Sequence, residues 1–88
     1  MLSQEVIVKN KLGVHARPAA QFVKTSSQFQ SDIRVEKDDE EVDGKSIMGL
    51  MMLAAGYEST LTISAEGSDE EEAIKTLVQL VEGNFEES

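Results

Sequence analysis

The chain has 88 residues, with 8 lysines and arginines against 17 acids, one histidine, one proline and no cysteine. A formal charge of −9 excludes general attraction to nucleic acid or anionic lipid, because its long-range field repels phosphates. So short a chain supports one core and one domain over residues 1–88; its 40% hydrophobic residues must stabilise that core by packing, since no disulfide or thiolate metal site can form.

Residues 5–9, EVIVK, form a short β-branched run with Val6 and Val8 on one face and Ile7 on the other, which predicts a strand. The first eleven residues lack the apolar run of a signal peptide, and no stretch reaches the roughly 20 apolar residues of a membrane span. A soluble, cytoplasmic protein with no membrane insertion is therefore expected, and the lack of cysteine fits a reducing compartment. In ARPAAQFVKTSS, residues 16–27, Ala16, Ala19, Ala20 and Val23 recur at helical spacing beside Phe22, and Pro18 falls in the first turn. That stretch predicts a helix. Residues 32–37, DIRVEK, alternate with Ile33 and Val35 on one face, and the acidic DDEE leads into Val42 as the return of an antiparallel hairpin.

SIMGLMMLA begins at Ser46, whose hydroxyl suits a helix cap, and Ile47, Leu50 and Leu53 repeat along one side of a short helix. Of the nearby methionines, Met52 is assigned to the core. TLTISAEG alternates with Leu61, Ile63 and Ala65 inward and stops at Gly67. The last helix has the strongest signature: a capping box of Ser68 with Glu71, acids in the first turn, an apolar stripe of Ala73, Ile74, Leu77, Val78 and Val81, and Gly83 as the stop. Strands with one polar face and helices that cover the other predict an α+β open-faced sandwich of order βαββαβα, a four-stranded, mostly antiparallel sheet with three helices on one face.

Three short motifs fail as sites. DGKS, residues 43–46, ends like a phosphate loop, but that loop needs a glycine where Asp39 stands, and the neighbouring acids would repel a triphosphate. The acids from Asp38 to Asp43 lack the ligand alternation and closing glutamate of a calcium loop. One histidine without cysteine is a poor zinc set, so no metal and no cofactor is expected.

GVHARPAA, residues 13–20, is different. Between Glu5 and Asp32 there is no acid, whereas Lys9, Lys11, Arg17 and Lys24 all fall there. With Pro18 in the first turn, His15 takes the cap position, where free amides and the positive end of the helix dipole converge. An anion attached to the ring would meet backbone donors and the Arg17 guanidinium. Such a place suits a phosphoryl group carried on nitrogen, whose transfer demands chiefly positioning and charge neutralisation.

GVHARPAA resembles the active-site signature of the HPr family, histidine-containing phosphocarriers of the phosphoenolpyruvate sugar phosphotransferase system, and KSIMGLMMLA resembles that family's second motif. The resemblance runs along nearly all of the chain. It implies a stoichiometric carrier, not an enzyme, in which enzyme I phosphorylates His15, Arg17 stabilises the phosphorylated ring and sugar-specific IIA components take the group. It implies a partner surface of Ala20, Lys24, Ile47, Met48 and Met51, for which adaptable methionines are well suited. It also implies phosphorylation of Ser46 by HPr kinase/phosphorylase and binding of that form to the catabolite control repressor protein, as in low-GC Gram-positive homologues. A sister family, Crh, shares the Ser46 motif but has glutamine in place of the histidine and serves only in regulation; a Crh-like corepressor module is the alternative, and His15 favours the carrier. Two departures stand out: Leu12 where relatives usually have Thr or Ser, and Glu58 where they generally have glycine, the nearest here being Gly56.

Overall fold

Alternation of apolar residues builds the sheet in the structure, a computed structural model that describes residues 1–86. The elements are β1 (Leu2–Ile7), α1 (Ala16–Ser26), β2 (Asp32–Lys37), β3 (Glu40–Asp43), α2 (Ile47–Met52), β4 (Thr60–Glu66) and α3 (Glu70–Glu82), followed by a 3-10 turn at Asn84–Glu86. The strands lie in the order β1-β4-β2-β3 with each neighbouring pair antiparallel. This is the predicted α+β open-faced sandwich. Register places Val6 opposite Leu61, Ile33 opposite Ala65, and Val35 between Ile63 and Val42, so the inward row of each strand meets its neighbour's.

The helices cover that apolar face. α3 lies over β1 and β4, and α1 packs on α2 and α3. Phe22, Ile33, Ile63 and Leu77 are fully buried at the centre, each side chain contributing about 1.5–3 kcal/mol by leaving water. The α3 stripe falls where it was predicted, with Leu80 added.

Four local expectations need correction. β1 begins earlier than residues 5–9 and ends at Ile7; Val8 lies beyond it but is buried, its amide donating to the Ser59 carbonyl at 2.9 Å. α1 turns Pro18, Ala19, Phe22 and Ser26 inward and leaves Ala16 and Ala20 exposed. Met52 is exposed, not core: Leu50 and Leu53 fill the inner side of α2, and two residues along a helix turn Met52 about 200° from Leu50. Ile47 is likewise not packed with them but 41% exposed. The Ser68–Glu71 capping box does not form; the cap residue of α3 is Asp69, and Glu70 Oε1 accepts from the Gly67 amide at 3.1 Å.

Asp69 is engaged elsewhere. Its carboxylate accepts from the Ser31 hydroxyl, from the Ser31 amide at 2.9 Å and from the Gln30 amide at 2.8 Å, stitching the start of α3 to the entry of β2. The Ser31 hydroxyl first, and the Gln30 amide next, hold this carboxyl below its ordinary value. Gly67 allows the close approach, since a Cβ there would lie 2.7 Å from the Ser31 Cα.

Candidate functional site

The loop that carries His15 is fastened from both sides. Asn10, itself buried, donates through Nδ2 to the Gly13 carbonyl at 2.6 Å, and the Gly13 amide returns a bond to the Asn10 carbonyl at 3.0 Å. Gly13 has φ +73°, and a Cβ would lie 2.5 Å from the Ala55 carbonyl oxygen and 2.8 Å from the Gly56 Cα, so only glycine fits. Next, the Val14 amide donates to that same Ala55 carbonyl at 2.8 Å. The entry to α1 thus rests flush on the loop that follows α2. Asn10 was not singled out in the sequence; its signal was the turn chemistry of Asn three residues before Gly.

His15 is the cap residue of α1, extended at φ −101° and ψ −167°, and its carbonyl accepts the first helical bond from Ala19 at 3.0 Å. Its side chain makes no cap hydrogen bond to the helix, and the residue is half-buried. The amides of Ala16 and Arg17 have no intrahelical acceptor, and Pro18 at the third helical position has no N–H. Two backbone donors at the start of α1 are therefore left without a partner inside the helix, at the positive end of its dipole. Arg17 is exposed on the same turn, and no acid stands in the first turn of α1.

Ser46 caps α2, its Oγ accepting from the Gly49 amide at 3.0 Å. The turn before it is rigid: the Lys45 amide donates to Asp43 Oδ1 at 2.9 Å, the Ser26 hydroxyl to the Gly44 carbonyl at 2.7 Å, and Lys45 Nζ to the Phe29 carbonyl at 2.8 Å. Along α2, Ile47, Met48, Met51 and Met52 are 41%, 75%, 43% and 67% exposed. Ala20 and Lys24 are exposed on α1, the helix against which α2 packs. Glu58 adopts φ +69°, the left-handed conformation that glycine takes freely, while its amide donates to the Val8 carbonyl at 2.7 Å. Among the described residues no cluster of three histidine or carboxylate side chains could hold a metal, and no helix is long and apolar enough to cross a membrane.

Residues 2–83 match the family described as the PTS HPr component phosphorylation site. The chain belongs to the HPr family. It is 48% identical over 87 residues to the phosphocarrier protein HPr of Neisseria meningitidis, covering 99% of this chain and 98% of that one. It is also 50% identical over 82 residues to the HPr-like protein Crh of Halalkalibacterium halodurans, covering 93% and 98%. Among solved structures, HPr-C-His from Thermoanaerobacter tengcongensis superposes with a TM-score of 0.95 at 53% identity, over 100% of this chain and 99% of that one. HPr and Crh relatives together support a phosphocarrier role in the phosphotransferase system, and the phosphocarrier name fits a non-enzymatic carrier.

Proposed function

We propose that the protein carries a phosphoryl group on His15, accepting it from phosphorylated enzyme I and yielding it to sugar-specific IIA components. One observation carries this reading: His15 is the cap residue of a helix whose Ala16 and Arg17 amides have no intrahelical acceptor, with Arg17 on the same turn. In the loading step a ring nitrogen forms a bond to phosphorus as phosphorus leaves the donor. The charge of the incoming oxygens is met by the two amides, the dipole and the guanidinium, so no metal or second catalytic acid on this chain is required. In the reverse sense, a PO3 group held only by such donors departs readily to the next nucleophile.

The same surface serves recognition. Ile47, Met48 and Met51, with Ala20 and Lys24 across the contact between α1 and α2, form the face on which enzyme I and the IIA components dock. Intact-mass measurement after incubation with phosphoenolpyruvate and enzyme I tests the relay. One acid-labile phosphate is expected, absent in His15→Ala; an unloaded wild-type chain would refute it.

Regulation at Ser46 is the second part of the reading, favoured by the 50% identity to a Crh protein. HPr kinase/phosphorylase modifies the hydroxyl, and the modified chain binds the catabolite control repressor protein. The phosphate adds nearly two negative charges beside the docking face, so acid-lined enzyme I is repelled without refolding of the carrier. Ser46→Asp should accordingly slow phosphoryl acceptance at His15 with little change in melting temperature. An unchanged rate would remove that account, and an acid-stable phosphate formed with ATP and the kinase but no relay would leave a Crh-like regulatory module.

A further inference from the structure

The peptide unit that joins Gly13 to Val14, one residue before His15, is held at both of its polar ends. Its carbonyl, on Gly13, accepts from Asn10 Nδ2 at 2.6 Å, and its N–H, on Val14, donates to the Ala55 carbonyl at 2.8 Å. The unit is planar and trans, so these two bonds pull in opposite directions and fix a tilt that either bond alone would leave free to rock. The next residue depends on that tilt. The His15 amide donates to the same Gly13 carbonyl at 3.2 Å, closing a three-residue turn, and the carbonyl's two lone pairs thus serve one donor from the Asn10 side chain and one from the histidine backbone. Backbone preference does not supply this restraint, because Gly13, at φ +73° and without a Cβ, turns readily about the bonds that flank its carbonyl. Asn10 supplies it from inside the loop. Its neighbours Lys9, Lys11 and Leu12 are exposed, whereas Asn10 is 7% exposed. An amide taken out of water stabilises the fold only through the bonds it makes there, and this one ends on the carbonyl that holds His15.

We infer that Asn10 is a positioning residue for phosphoryl transfer at His15, an inference that rests on the carrier reading. It acts through the Gly13 carbonyl: the side-chain bond sets the main chain at His15, and the main chain sets the line along which a ring nitrogen meets phosphorus. The step is the one given above, in which the nitrogen–phosphorus bond forms as the donor's bond to phosphorus breaks. Such a displacement tolerates little misalignment, and a shift of about 1 Å costs on the order of 100-fold in rate. Docking is a separate matter, since the proposed partner face lies on α1 and α2 at Ala20, Lys24, Ile47, Met48 and Met51. Loss of the Asn10 bond therefore slows the transfer step and leaves recognition of the donor intact.

The test is single-turnover transfer from phosphorylated enzyme I of the same organism, which reads the limiting rate and the half-saturating carrier concentration separately. Wild type is compared with Asn10→Leu, which keeps the branching and approximate size of the side chain but not its donor, and with Asn10→Ala, which loses both. Ser31→Ala serves as the control, because it removes a hydroxyl from the Asp69 carboxylate at the junction of β2 and α3 and so loosens the fold away from the His15 loop. The limiting rate should fall about tenfold in Asn10→Leu and Asn10→Ala, with half-saturation within about twofold of wild type and with Ser31→Ala unchanged in both. Melting temperatures of the four proteins separate this effect from lost stability. A wild-type limiting rate in Asn10→Leu would overturn the positioning role and leave the carrier reading standing. Raised half-saturation at an unchanged limiting rate would also overturn it and assign Asn10 to the docking surface. An equal fall in Ser31→Ala would overturn it in favour of general loosening. Failure of the wild type itself to load would overturn the carrier reading, and this inference with it.

Discussion

Gly13 and Asp69 show how single residues set this molecule's geometry. Gly13 combines a left-handed backbone with backbone contact to Ala55 and Gly56, so Gly13→Ala must both strain φ and push the His15 loop off its support. A loss of about 1–3 kcal/mol in urea unfolding is expected, with a fall in phosphoryl acceptance larger than the same loss of stability produces elsewhere. Asp69 governs acid sensitivity. Its carboxyl is held below the ordinary value by Ser31 and Gln30, and Glu70 is held low by the Gly67 amide, so both ionise more readily in the folded chain than in the unfolded one. Their stabilisation is complete above the unfolded carboxylate range and is lost as pH falls through the lower folded values. Melting temperatures measured from pH 6 down to pH 2.5 should therefore decline, and Asp69→Asn should flatten that decline while lowering stability at neutral pH. Equal slopes for the two proteins would contradict the assignment.

At the scale of elements, α2 depends on its cap. With six residues it is too short to persist alone, and Ser46 supplies the acceptor for Gly49 while Leu50 anchors the inner side. Ser46→Ala should cost about 1 kcal/mol, read from chemical denaturation, and Ser46→Asp should restore most of it. Legibility in the sequence also divides by element. β2 was readable residue for residue, because strict alternation has one solution. The stripe of α3 was readable for the same reason at helical period. In α1 the inward face was set by the single Phe22, since alanine side chains bury little area. The α3 cap misled, since Asp69 answers to Ser31 and Gln30, 38 and 39 residues away, partners that no local motif announces. The cap positions of His15 and Ser46 were legible from local chemistry, whereas Asn10's buried clamp and the exposed Met52 depended on tertiary packing.

The whole molecule separates two jobs between its faces and its charge. The sheet and α3 form the scaffold, and the end where α1 begins and α2 runs out carries histidine, arginine and exposed methionines over a cationic stretch of an acidic chain. On the proposed reading, a phosphoryl group on His15 is received by the Ala16 and Arg17 amides of a helix already in place. Amide proton shifts recorded by NMR before and after loading with phosphoenolpyruvate and enzyme I test it most directly. Downfield movement concentrated at Ala16 and Arg17 is expected, with β4 and α3 unmoved. Phosphate on His15 with those two amides unshifted, or shifts spread through the sheet, would contradict it.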